Sequence, residues 1–253
     1  MHLEELAEGI SILHRLDPRL KIITFLVLTV CCVTSTSFLA LFSYLLLTSG
    51  LLLLAKTPLT LLLKRLLLIN FFLLLLWGSL ILGDLLVFLY NKKGVFLDPE
   101  TLSLGLYITL RSNTLFLATL ALLATSPLSS LTHALLHLRV PSRLVLLFHL
   151  SYRYLSLLHQ EYDKMRLGLM AKGFKPKTGL YTYRIYAYLL GMLVIKSLKR
   201  AEDLYLAMLA RGYKGFYPIL EHFKLQKKDF FFFIFTLSII FFIYLLNFKT
   251  CLT

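Results

Sequence analysis

The stretch LLLINFFLLLLWGSLILGDLLVFLY, residues 66–90, runs for 25 residues with a single charge, Asp84. As a helix rising about 1.5 Å per residue it is long enough to cross the roughly 30 Å hydrocarbon core of a bilayer. Four further runs read the same way: Ile22–Ser37, Phe38–Ala55, Leu102–Thr125 and Phe230–Phe248. The first two of these are short and meet at Thr34-Ser35-Thr36-Ser37. They read either as two spans joined by a tight polar turn or as one long run broken in the middle. Over all 253 residues, 58% are hydrophobic, 16% are charged and the mean hydropathy is +0.77. An ordinary soluble domain carries about a quarter charged residues, and no domain of this size could hide so much apolar surface. The composition excludes a soluble enzyme, a disordered chain and a fibrous repeat. The expected fold is an all-α integral membrane protein with about five transmembrane helices.

Charge is distributed unevenly. The net charge is +14, and residues 126–228 alone hold 17 Lys/Arg against 5 Asp/Glu. In a soluble chain such basicity would point to nucleic acid. Between apolar runs it reads as a cytoplasmic region under the positive-inside rule, and no nucleic-acid partner is expected. Arg15, Arg19 and Lys21 precede the first run, and Lys56, Lys64 and Arg65 separate the second from the third. Placing these with the basic segment inside leaves Lys92, Lys93 and Lys249 outside, with Asp98 and Glu100 offsetting the first pair. The N-terminus is then expected inside and the C-terminus outside. Glu4, Glu5 and Glu8 give the first residues the wrong charge for a secretory leader. Cys31, Cys32 and Cys251 form no disulfide framework in such a setting.

The expected organisation is a transmembrane bundle over residues 1–125, a cytoplasmic region over 126–228 and a last transmembrane helix over 229–253. Pro127, Pro141, Pro176 and Pro218 punctuate the middle region, and between them the periodicity predicts helices over about 128–138, 141–173 and 182–211. Leu150, Tyr154, Leu157, Glu161, Met165 and Leu169 share one helical face. Leu189, Leu193, Ser197, Ala201, Leu204, Met208 and Arg211 share another, and small Ser197 and Ala201 permit close helix crossing. Both long helices end alike, in Ala171-Lys172-Gly173-Phe174 and Ala210-Arg211-Gly212-Tyr213. A cation in the last turn followed by glycine is ordinary C-capping chemistry. Its repetition in one basic segment adjoining membrane spans asks for more than capping.

Leu16-Asp17-Pro18-Arg19-Leu20-Lys21, Ser151-Tyr152-Arg153-Tyr154-Leu155 with Glu161 and Met165, and Arg200-Ala201-Glu202 followed by Ala207-Met208-Leu209-Ala210-Arg211-Gly212-Tyr213 resemble a known pattern. It is that of the transmembrane coupling (T) subunit of energy-coupling factor (ECF) ABC transporters, the CbiQ/EcfT family, and the likeness extends from about residue 13 to 248. The resemblance implies long cytoplasmic coupling helices that dock onto two ABC ATPase subunits, and a separate substrate-binding membrane (S) subunit. It also implies a multi-pass protein of the bacterial cytoplasmic (inner) membrane that needs no cofactor and is not itself an enzyme. The ATPase-coupling residues it marks are Ala171, Lys172, Gly173, Ala210, Arg211 and Gly212. Lys172 departs from the family's arginine at that position; it keeps the charge but lacks the planar fork that holds a carboxylate through two bonds. The cargo implied is cobalt or nickel, with a vitamin as the alternative.

Other chemistry is sparse. No G-x-x-x-x-G-K-[ST] occurs; Gly168 and Gly173 come nearest, but Phe174 and Lys175 follow, so ATP must be hydrolysed by a partner. His133 and His137 are spaced for one helical face, without nearby carboxylates or thiols in sequence, and read as a possible metal pair or as two surface histidines. His149 and His159 read as packing or interface residues. There is no H-E-x-x-H and no G-x-S-x-G. Arg111, inside the fourth run, reads as a contact with a partner or substrate path, or as an arginine snorkelling to the outer surface or paired inside the bundle. Phe230–Phe233 with Phe235, Phe241 and Phe242 suit lipid or subunit contact, and Tyr181, Tyr183, Tyr186 and Tyr188 suit an interface. A self-sufficient carrier would need paired broken helices and midplane charges. A membrane enzyme would need clustered His, Asp or Glu at one face. An interaction protein without transport activity satisfies the composition equally.

Overall fold

The computed structural model describes residues 9, 11–55, 57, 59–91, 99–138, 140–215 and 227–252, and every regular element among them is helical. In chain order these are α1 (Ile12–Arg15), α2 (Pro18–Thr34), α3 (Phe38–Ala55), α4 (Leu59–Asn91), α5 (Pro99–Ala118), a π-helical turn (Thr119–Leu123), α6 (Leu128–His137), α7 (Ser142–Ala171), α8 (Leu180–Ala210) and α9 (Lys227–Leu252). They group into two compact units: a membrane unit of residues 2–131 and 223–253, and a long-helix unit of residues 132–222. Lys56, Lys92, Lys93, Asp98 and Pro218, and the acidic Glu4, Glu5 and Glu8, lie outside the described residues.

In the membrane unit, α2 begins where the sequence supplies a start signal. The Asp17 side chain accepts from the Arg19 backbone N–H at 3.0 Å, and Pro18 takes the first helical position, where a missing N–H costs nothing. The helix stops at Thr34, Ser35–Ser37 are non-helical, and α3 begins at Phe38. Residues 22–55 therefore form two helices and a turn, not one interrupted helix. The turn is gripped from both sides. Ser37 donates from its backbone N–H at 3.1 Å and its hydroxyl at 2.7 Å to Asn247 Oδ1, while Arg111 Nη2 donates to the Ser35 carbonyl at 2.8 Å. Of the two readings of Arg111, pairing inside the bundle is the one its geometry carries. In a dry environment an open helix C-terminus needs such a donor.

Among the described residues four stretches are long and apolar enough to cross a membrane: Phe38–Ala55, Leu62–Leu85, Pro99–Leu123 and Asp229–Asn247. The expected first span, α2, is 17 residues long. Two buried clusters hold the unit together. Leu13, Leu51, Leu52 and Leu117 centre one; Leu28, Leu41, Tyr44, Ala118 and Ile240 centre the other. Helix α4 starts earlier than expected, so Lys64 and Arg65, assigned above to a loop, lie within its first two turns. Both are good helix formers flanked by leucine, so nothing local stops the helix before them.

Helices α4 and α5 meet through polar contacts of the kind that replace hydrophobic driving force in lipid. Asn70 and Asn113 exchange side-chain amide hydrogen bonds at 3.4 and 3.2 Å, and Trp77 Nε1 donates to Thr109 Oγ1 at 2.9 Å. Gly105 makes room for this: a Cβ there would lie 3.0 Å from the Trp77 ring. Replacing Gly105 with valine should displace the indole, break the Trp77–Thr109 bond and cost about 1–3 kcal/mol. Detergent unfolding monitored by the emission of Trp77, the only tryptophan in the chain, checks this; unchanged stability and emission would contradict the close approach.

Candidate functional site

The long-helix unit carries the residues singled out in the sequence. Pro141 precedes α7 and Gly179 precedes α8, and each helix then runs for about 30 residues. Their predicted faces meet. Leu150, Ser151 and Tyr154 of α7 line one cleft with Ser197, Ala201 and Leu204 of α8, so the small residues of α8 face α7. One ion pair ties the helices further along, from the Lys196 ammonium to Glu161. Beyond it the Phe174 ring stands edge-on to Tyr186, with centroids 6.1 Å apart. These pairings run in opposite directions along the two helices, so α7 and α8 are antiparallel.

Antiparallel packing sends the two helix ends to opposite ends of the pair. From the level of the Glu161–Lys196 bridge, α7 continues 11 residues to Lys172 and α8 continues 15 residues the other way to Arg211. At about 1.5 Å per residue the two tips lie roughly 40 Å apart along the helix axes.

The tips have the same construction. The Gly173 N–H donates to the Met170 carbonyl at 3.0 Å and the Phe174 N–H to the Leu169 carbonyl at 3.1 Å. At the second tip the Gly212 N–H donates to Leu209 at 2.9 Å and the Tyr213 N–H to Met208 at 3.0 Å. Each is the paired bonding of a Schellman cap, with glycine in the left-handed region at φ +84° and +81°. Lys172 and Arg211 hold the preceding position at φ, ψ of −82°, 11° and −90°, 10°. Ala171, Lys172, Gly173, Ala210, Arg211 and Gly212 are all exposed. Each tip thus presents one cation just past a small alanine, beside a glycine where the chain turns off. Such a shape suits insertion into an acidic groove.

The Glu161–Lys196 bridge was not singled out in the sequence, although a lone carboxylate on an otherwise apolar stripe was its signal. The hydrogen bond and charge of Lys196 hold the Glu161 carboxyl below its ordinary value. A lowered carboxyl pKa stabilises the fold above the ordinary value of 4.5, and that contribution is lost as pH falls through the lowered one. A double-mutant cycle of Glu161→Gln and Lys196→Met should therefore show coupling at neutral pH that vanishes on acidification and weakens with salt. Coupling that persisted in acid would rule the ion pair out as its source.

The histidines gather elsewhere in this unit. The ring of His133 lies edge-on to His149 with centroids 6.1 Å apart, beside Thr132 and Ser142. Burial, then the proximity of His133 and Arg153, holds His149 below its ordinary pKa. His159 pairs with Asp163 at 3.5 Å across one turn of α7. Among the described residues no three His, Cys, Asp or Glu side chains converge for a metal ion.

Residues 9–223 match the family model described as "Cobalt transport protein", CbiQ. The chain is 34% identical over 225 residues to the energy-coupling factor transporter transmembrane protein EcfT of Bacillus subtilis, covering 82% of each chain. It is 32% identical over 234 residues to the same-named protein of Listeria innocua, again covering 82% of each. An uncharacterized protein of Methanocaldococcus jannaschii is 26% identical over 235 residues, covering 90% of this chain and 80% of its own.

Proposed function

The chain belongs to the CbiQ family of cobalt transport proteins, and we propose that within it this is the transmembrane coupling subunit of an ECF-type ABC importer. In this reading residues 1–125 and 229–253 form the membrane bundle with the N-terminus inside, and residues 126–228 form the cytoplasmic coupling region. Two ABC ATPase subunits hydrolyse ATP, and their movement passes through the long helices to a substrate-binding membrane subunit. The observation that carries the reading is the pair of like-built tips, each an exposed cation on a glycine cap, at opposite ends of one antiparallel helix pair. Two separate, equivalent projections suit two motor subunits. Rigid helices tied by Glu161–Lys196 suit the transmission of force between them.

Ala171, Lys172 and Gly173 meet one ATPase in this reading, and Ala210, Arg211 and Gly212 the other. The S subunit selects the cargo: cobalt ion is the reading the family description supports, and nickel ion is carried only by the sequence resemblance. A vitamin is the second reading, favoured by relatives whose name specifies energy coupling and no metal.

The test is co-expression with the ATPase pair and S subunit, isolation in mild detergent and reconstitution into vesicles. The ATPases should co-purify, and uptake of labelled cobalt should require both ATP and the S subunit. Cargo movement by the chain alone would sink the reading in favour of a self-sufficient carrier. Labelled vitamin taken up in place of cobalt would select the second cargo. Cysteine-accessibility labelling of residues 126–228 from either side of the membrane tests the orientation.

A further inference from the structure

The membrane unit contains a buried lysine that none of these roles uses. Lys21, in the first turn of α2, is 1% exposed. Its ammonium donates to Ser126 Oγ at 2.6 Å and to Thr125 Oγ1 at 3.3 Å, residues more than a hundred positions away. Asp17 and Asp229, both also buried, are the carboxylates that act on it. A charge withdrawn from water this completely is costly unless its partners are fixed in place. Here the partners are fixed by an unusual backbone.

Thr125 and Ser126 come just past the π-helical turn Thr119–Leu123 and its cap Ala124, whose N–H reaches back five residues to the Thr119 carbonyl at 3.0 Å. The Thr125 hydroxyl donates to the Ala121 carbonyl at 2.9 Å, so its lone pairs are left to accept from Lys21. The extra residue of a π turn rotates everything after it by about 100° relative to a continuous α-helix. Thr125 and Ser126 follow in the turn that ends the helix, with both hydroxyls against the ammonium. Straightening the turn would carry them off and strand a buried charge. The π turn and Lys21 are therefore two halves of one latch, set where the chain leaves the membrane unit for the long-helix unit.

We infer that Lys21 is a positioning residue for energy coupling: by holding Thr125 and Ser126 it locks the π turn that closes the last membrane helix before the chain runs on to the coupling helices. The inference rests on the coupling reading above, because a latch at this junction matters only if force passes through it. With the latch open, the five-residue bond of Ala124 to Thr119 can give way, and motor movement is dissipated at this turn before it reaches the bundle.

The test uses the complete complex with ATPases and S subunit, comparing wild type with Lys21→Met and Ser126→Ala. The second variant removes the 2.6 Å bond without leaving the acids uncompensated, so it decides alone if the first fails to assemble. Hydrogen exchange should show faster amides at 123–126 in the variants, with other bundle helices unchanged. Complex yield and ATP hydrolysis should persist while transport per ATP falls about tenfold, a size typical of coupling between sites. A merely structural role would lower yield, hydrolysis and transport together. Unchanged exchange at 123–126 overturns the latch; faster exchange with an unchanged transport-to-ATP ratio overturns its part in coupling. If wild-type chain binds no ATPase, the proposed function fails, and the exchange measurement still decides whether Lys21 holds the turn.

Discussion

Arg211→Ala should leave a folded, membrane-inserted chain that has lost most of its hold on the ATPase pair. Arg211 is exposed, its backbone already ends the helix, and its side chain is not needed for the cap, which is made by backbone groups of Gly212 and Tyr213. Truncation therefore removes a contact and little else. Removing a charged anchor from a docking groove costs about 2–5 kcal/mol, so affinity should drop at least thirtyfold. Lys172→Ala should cost less, because a point charge loses less than a two-pronged fork, and Lys172→Arg should strengthen the first tip. Affinity for immobilised ATPases and ATP-driven uptake in vesicles measure both. Full transport by Arg211→Ala would remove that residue from the docking site.

The second large effect is expected at Gly212. Its φ of +81° is one an L side chain rarely adopts, yet no atom lies within 4 Å of where a Cβ would stand. Gly212→Ala therefore carries a purely conformational penalty of about 1–2 kcal/mol, levied on the one turn that presents Arg211. The last turn should fray or the tip should swing, and docking should fall with the arginine still present. Gly212→Asn, which tolerates the left-handed region, should keep most of the affinity. If alanine and asparagine behave alike, the cap geometry is not what aims the cation. The same pair of substitutions at Gly173 reports on the first tip.

The ends of α7 and α8 were legible in the sequence because C-capping is local chemistry. A cation, a glycine and an aromatic in succession fix their own hydrogen bonds within one turn. The two amphipathic faces were legible for the same reason, since a 3.6-residue period states which residues will share a side. The start of α4 was not legible, because lysine and arginine that are good helix formers in isolation look like loop charges beside a span. Nor was the Glu161–Lys196 bridge, whose members lie 35 residues apart on different helices.

Composition and run length by themselves determined that this chain is an all-helical membrane protein, and short motifs determined its family and the form of its two tips. Those properties depend on solvent transfer and on bonds that close within five residues. Tertiary structure alone decided that the tips stand at opposite ends of one antiparallel pair, that Arg111 holds the Ser35 carbonyl, and that Lys21 meets Thr125 and Ser126. Each of these joins residues far apart in the chain. Which distant hydroxyl or carbonyl a buried cation finds depends on how whole helices pack and, after the π turn, on how the chain leaves the helix.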